Sequence, residues 1–191
     1  MNYLAHLYLA GESDQAMIGA MLGDFVKVDD HRHYPPDIAA GILLHRRIDA
    51  FTDSHPIVRR SKARLDPIHR HTRGVLMDMF YDHFLAADWK RYSALPLADY
   101  AAGVYRVLQQ AEVPFPPRLA QMLPYMAAAD WLSAYASLDG IARALQGLSR
   151  RLSRPTQLAR GIEDLHEHYD ELQSDFRAFF PLLQAYVKTL R

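Results

Sequence analysis

Gly-Val-Leu-Met-Asp-Met-Phe-Tyr-Asp-His-Phe-Leu, residues 74–85, is the stretch on which the fold class turns. Its apolar residues do not alternate with polar ones, as a half-buried strand requires, but run around a helix. Asp78 and Asp82 stand four residues apart, so on a helix their carboxylates share one face, one turn from each other. Leu85 and Trp89 continue that stripe. No Lys or Arg lies three or four residues from Asp78, where Gly74, Val75, Tyr81 and Asp82 are found. Like charges at this spacing repel, and burying unpaired carboxylates is expensive. A divalent cation compensates such a pair well, because carboxylate oxygens are natural ligands for Mn2+ or Mg2+. Arginines contributed by another helix would compensate it equally.

The same helical periodicity extends outward in both directions. Met1–Ala10 reads as a short helix, and Ser13 is placed to cap a second that runs to about Val28. A polar loop closes at Pro35-Pro36. A third helix then spans Asp37 to about Asp53, and a basic fourth Ile57 to about Leu65. The apolar helix runs from Gly74 to about Tyr92, followed by one over Leu97–Glu112. Residues 113–117 carry prolines and mark a candidate internal boundary. Beyond them helices are expected at Arg118–Ala129 and Asp139–Leu152, with a long one from Thr156 kinked at Pro181. With little glycine and no convincing period-2 run, the expectation is one all-α domain over residues 1–191, a helical bundle.

At 191 residues the chain is long enough to bury a substantial core. Cysteine is absent, which excludes disulfides, thiolate metal sites and cysteine nucleophiles. The start of the chain lacks the features of a signal peptide, and no apolar run nears the roughly 20 residues needed to span a bilayer, so a cytoplasmic location is expected and no membrane partner. The formal net charge is zero, but its distribution is uneven. Arg59, Arg60, Lys62, Arg64, Arg70 and Arg73 form one basic run, and Arg143, Arg150, Arg151, Arg154 and Arg160 a second. Such patches can steer an acidic partner or be plain solvated helix faces. Nucleic acid is not expected, since no aromatic-interleaved basic motif occurs.

A second set of ionisable residues lies in Gly-Ile-Leu-Leu-His-Arg-Arg-Ile-Asp, residues 41–49. His45 and Asp49 are one helical turn apart, a spacing that can grip one metal or form an orienting His–Asp pair. Arg46 and Arg47 beside them could stabilise charge on a phosphate, or simply pair with neighbouring acids. His6 stands within apolar helix, where a hydrogen-bonded core histidine is the commoner finding. Asp24 follows Gly23, a residue small enough to let another group approach closely; a pair with Lys27 is the alternative. No Gly-x-Ser-x-Gly elbow, Gly-Lys-Ser/Thr phosphate loop or dinucleotide glycine pattern is present. Carboxylates and imidazoles on packed helices point instead to metal-activated water.

Several blocks together resemble the bacterial acyl carrier protein phosphodiesterases. They are residues 1–10, Gly-Asp-Phe-Val-Lys at 23–27, residues 41–49, Thr-Asp-Ser-His-Pro at 52–56, and 78–89. Weaker echoes are Trp131-Leu132, Arg150-Arg151 and His168-Tyr169-Asp170. The resemblance implies a divergent HD-type phosphohydrolase fold, a Mn2+ requirement, and hydrolysis of the phosphodiester that joins phosphopantetheine to a serine of holo acyl carrier protein. One departure stands out: no His is followed by Asp, and the nearest dipeptide is the reversed Asp82-His83.

The expected metal ligands are Asp24, His45, Asp78 and Asp82, with His6 and Asp49 either joining them on the ion or holding them in place. Arg46 is expected to stabilise phosphoryl charge and His83 to donate a proton. Because carrier proteins of this kind are acidic, Arg59 and Arg60 on one run and Arg150 and Arg151 on the other are expected to dock the partner. Two alternatives remain: an HD-type phosphohydrolase for nucleotides or other small phosphodiesters, and a non-enzymatic helical module whose acids pair with arginines.

Overall fold

The structure is a computed structural model that describes residues 1–151 and 156–191. Among the described residues there is no strand; the chain forms helices α1 (Tyr3–Ala10), α2 (Asp14–Leu22), α3 (Pro36–Ser54), α4 (Pro56–Arg64), α5 (Arg73–Ala87) and α6 (Leu97–Gln109). There follow α7 (Pro117–Ala128), the single turn α8 (Trp131–Ala134), α9 (Leu138–Arg151), α10 (Gly161–Glu167) and α11 (Tyr169–Lys188). None of these helices is long and apolar enough to cross a membrane.

Local chemistry sets the helix starts. Ser13 caps α2 as expected, its Oγ accepting from the Ala16 N–H at 3.4 Å. Pro36, Pro56 and Pro117 open α3, α4 and α7, where the fixed φ suits a first turn and the missing N–H costs nothing. Two boundaries differ from the sequence reading. Helix α2 stops at Leu22 rather than near Val28, because the chain turns sharply: the Phe25 and Val26 N–H groups both donate back to Leu22 O. The expected long C-terminal helix breaks at His168 into α10 and α11, with Pro181 accommodated inside α11.

Helices α2 and α3 pack most intimately. At Gly19 and Gly41 an added Cβ would meet the facing helix's backbone, so only glycine allows this approach. Helix α1 lies across α2, α3 and α5, while α11 covers α3, α4 and α5. The core is continuous from Leu4 and Leu7 on α1, through Ile42 and Ile48 on α3 and Phe80, Tyr81 and Phe84 on α5, to Phe176, Phe179 and Phe180 on α11. Leu119, Leu132, Ile141 and Leu145, beyond the proline-rich 113–117 segment, join the same core. Full burial of each large side chain contributes roughly 1.5–3 kcal/mol against the entropy of ordering it. The result for the site is that α1, α2, α3 and α5 converge on one small volume.

Candidate metal centre

Helix α3 supplies two groups to that volume. His45 is 2% exposed, and its Nε2 lies 3.2 Å from Asp49 Oδ2, one turn on. Helix α1 brings His6 from the other side, with Nε2 3.0 Å from Asp49 Oδ1 and 3.1 Å from Met1 O. The two imidazoles stack at 3.6 Å between centroids, 9° from parallel. The turn after α2 adds Asp24, whose Oδ1 is 3.4 Å from His45 Nε2. Gly23 makes this possible, since a Cβ there would overlap the His45 ring. The closeness read from Gly23-Asp24 in the sequence is therefore the approach of His45.

The other side of each ring is as informative. His45 Nδ1 lies 2.8 Å from Ala20 O. A carbonyl only accepts, so Nδ1–H donates, which turns Nε2 towards the carboxylates and fixes the ring. His6 faces two acceptors through Nε2, while its Nδ1 is buried without a hydrogen-bond partner. Asp49 is also approached by the Met1 ammonium at 3.4 Å, which donates to Asp78 Oδ1 at 2.9 Å. No arginine enters the cluster among the described contacts.

Charge is distributed unevenly here. Burial opposes a proton on His45, but the hydrogen bonds and charges of Asp24 and Asp49 overcome it and push the imidazole up to about 9. His6, buried and facing the His45 charge, falls to about 4 despite its bond to Asp49. Burial alone would raise Asp49; the bonds from both histidines and the nearby ammonium instead hold it well below the usual carboxylate range. Asp24 is lowered too, because the His45 bond and charge outweigh its own burial. The Met1 ammonium rises to about 11, Asp78 and Asp49 outweighing its burial.

His6, His45 and Asp49 each offer a donor atom within 4.8 Å of the others. Their contacts of 3.0 and 3.2 Å, with Asp24 at 3.4 Å, are close to the roughly 3 Å between adjacent ligands of an octahedral cation whose bonds are about 2.1 Å. Two imidazoles and the Asp49 carboxylate, with one imidazole oriented by a backbone carbonyl and the other carrying an orphaned nitrogen, fit a divalent cation, and Asp24 adjoins them through His45.

Four expected site residues have other partners. Asp82, fully buried, accepts from Leu4 N–H at 2.7 Å and Ala5 N–H at 3.2 Å, so both oxygens are engaged at the N-terminus of α1. The helix end compensates this acid by its unpaired N–H groups and positive dipole, in place of the metal the sequence reading gave it. Burial still lifts Asp82 to about 7, against the ammonium and the two N–H bonds. Asp78, one turn earlier, meets the cluster only through the Met1 ammonium. Arg46 donates to the carbonyls of Val26, Lys27 and Val28, clamping the turn that carries Asp24 rather than facing a phosphate. His83 has both nitrogens engaged within the fold, by Tyr135 O at 2.8 Å and the Tyr169 hydroxyl at 3.1 Å.

The two basic runs also part company. Arg60 pairs with Asp175 on α11, Arg64 joins that pair, Arg59 donates to Ser54 O, and Lys62 pairs with Asp53. In the second run Arg150 is exposed at the end of α9, whereas Arg151 lies over the Trp131 ring at 5.4 Å and Arg160 pairs with Glu163. Arg154 lies outside the described residues. Sequence reasoning missed the Met1 ammonium and the Ala20 carbonyl, which only the tertiary fold brings to the cluster.

Residues 1–183 match the family described as acyl carrier protein phosphodiesterase. The chain is 35% identical to the acyl carrier protein phosphodiesterase of Enterobacter sp. (strain 638), over 98% of each chain. It is 36% identical to the protein of that name from Salmonella dublin, over 97% of this chain and 96% of the relative. No solved structure matches the chain.

Proposed function

The chain belongs to the acyl carrier protein phosphodiesterase family, and from that premise we propose that it hydrolyses holo acyl carrier protein with a divalent cation. The bond cut is the phosphodiester between the 4′-phosphopantetheine arm and the carrier serine, and the products are apo carrier protein and 4′-phosphopantetheine. Mn2+ is the cation of choice, with Mg2+ as the alternative. The observation that carries this reading is the paired stack of His6 and His45 on Asp49, with Asp24 behind.

In this reading His45, Asp49 and Asp24 hold the cation and His6 completes or supports the shell. When bound, the cation supplies Lewis-acid charge to the phosphodiester and makes water more acidic. The chain's own residues do the rest. Asp24, with 44% of its side chain exposed, is positioned to orient the attacking water. The Ala20 carbonyl holds the His45 ring in place through Nδ1. Asp82 anchors α1 and thereby positions His6. Arg46 fixes the Asp24 turn. The divergent HD-type relation belongs to the same proposal: His45 and Asp49, a turn apart, provide the His and Asp that the missing dipeptide would have supplied.

The test is conversion of holo to apo carrier protein, followed by loss of the pantetheine mass, for Asp49→Ala and His45→Ala. Both variants should fold, lose the Mn2+-dependent rise in thermal stability, and lose at least about 100-fold in rate, since even supporting residues of metal sites are worth 10–100-fold. Variants that fold and turn over normally would place the chemistry elsewhere. Equal turnover of nucleotide diesters by the wild type would favour the small-substrate alternative.

A further inference from the structure

A cavity of about 230 Å³ opens beside the cluster, between the start of α1, α5 and the α7–α9 segment. Its walls are largely apolar, with Met79, Met122, Trp131 and Leu148 among them. Three guanidinium groups, Arg118, Arg143 and Arg151, also line it. Arg118 lies 5.9 Å over the Phe25 ring and Arg151 5.4 Å over Trp131, and among the described residues no carboxylate pairs with any of the three. This sets them apart from Arg60 and Arg64 on α4, which are tied to Asp175. Unpaired arginines around a greasy recess suit a ligand that is anionic at one end and apolar at the other.

The cavity and the cluster share a wall. Asn2 and Tyr3 line the cavity and directly follow Met1, whose ammonium touches Asp49 and Asp78; Met79, next to Asp78, lines it too. Asn2 spans the wall, donating to Met79 Sδ and to the Tyr135 hydroxyl. The Tyr3 hydroxyl donates to Met122 Sδ across the recess, and its ring stacks on Phe25, the neighbour of Asp24. Burial raises the Tyr3 hydroxyl to about 12, with the Asp24 charge adding to the rise and Arg118 and Arg151 opposing it. Tyr3 thus stands between the acids of the cluster and the arginines of the recess.

We propose that this cavity receives the distal end of the phosphopantetheine arm, the thiol and above all a short acyl chain in thioester linkage to it, while the arm's phosphodiester lies at the His–Asp cluster. The inference rests on the phosphodiesterase reading above. It makes the acylated arm the preferred substrate. It also gives Arg118, Arg143 and Arg151 the task of drawing in the anionic carrier, a steering effect that salt screens. Thioester and acyl methylenes match the flexible methionine walls, and each methylene buried there should lower KM by up to about fourfold.

Gly147 offers the test. It lies on α9 against the recess, where Arg151 Nε donates to its carbonyl at 3.0 Å, and a Cβ there would meet only the Arg151 guanidinium, at an ordinary 3.5 Å, so Gly147→Leu adds bulk to the recess wall beside Arg151. Comparing kcat/KM for octanoyl and holo carrier proteins with Mn2+ present, wild type should prefer the octanoyl form. Gly147→Leu should cut that preference at least tenfold while keeping its thermal transition and Mn2+ shift. A folded Gly147→Leu protein with an unchanged preference would overturn the cavity assignment and leave the cluster reading intact. A wild type that turns over neither carrier would overturn both. Independently, octanoyl carrier protein added to chelator-treated wild type should blue-shift tryptophan emission through Trp131, and apo carrier protein should not. The same response to both would also count against the assignment, as would a response to free octanoyl-pantetheine as strong as to the carrier, which would show that the arginines do not draw in the protein partner.

Discussion

Asp175 on α11 and Asp49 on α3 are carboxylates embedded in helices of one small protein, yet their surroundings differ in kind. Asp175 is 2% exposed and receives Arg60, Arg64 and the Ser61 hydroxyl, so α4 and α11 are locked by a hydrogen-bonded ion pair. Asp49 meets two imidazoles and an ammonium, and 40% of its side chain remains open. Guanidinium neutralises a carboxylate permanently and occupies its lone pairs with a rigid fork. Imidazole titrates near neutrality and can exchange its proton for a metal ion. The first arrangement holds helices together; the second can be reloaded.

The largest effect expected from this difference lies on the structural side. Asp175→Ala removes the acceptor shared by Arg60, Arg64 and Ser61 and should lower the urea midpoint markedly, because α4 loses its tie to α11. Mn2+ affinity of the folded fraction should not change. Loss of Mn2+ binding in this variant, with the fold retained, would erase the distinction between the two acids.

A smaller effect separates them by pH. The His45 imidazole is raised to about 9 in the folded, metal-free protein, so its contribution is fully present below its ordinary value of 6.5 and fades as pH rises through about 9. Stability should therefore decline across that window, by at most about 3 kcal/mol at 1.36 kcal/mol per pKa unit. His45→Gln should flatten the decline. A wild type and a His45→Gln variant with parallel profiles between pH 6.5 and 9 would mean that His45 carries no proton shared with Asp24 and Asp49.

Much of this was legible from residue spacing, and the rest was not for a definite reason. The His45–Asp49 turn is local, as are the Ser13 cap and the proline helix starts, and local spacing fixes them. The Gly23-Asp24 pair announced a close approach without saying which group approaches. Asp78 and Asp82 show where spacing fails. One turn apart on the same helix, they looked like a metal-binding pair. Asp82 instead meets the end of a helix 78 residues away in sequence, a partner that no local pattern specifies. The partners of Arg46 and His83 were equally out of reach, because backbone carbonyls and a tyrosine hydroxyl leave no trace in composition. The two arginine runs look alike in sequence; only tertiary packing ties one to Asp175 and leaves part of the other around a cavity.

Calorimetric titration of Mn2+ into chelator-treated protein at pH 7.5, repeated in two buffers of different ionisation heat, examines the His–Asp cluster most directly. Saturable binding should release close to one proton per ion as His45 yields its Nε2 proton, and Asp49→Ala should abolish the binding while Asp175→Ala keeps it. No saturable heat in the folded wild type, or binding that survives intact in Asp49→Ala, would contradict the assignment of His6, His45, Asp49 and Asp24 as a cation site.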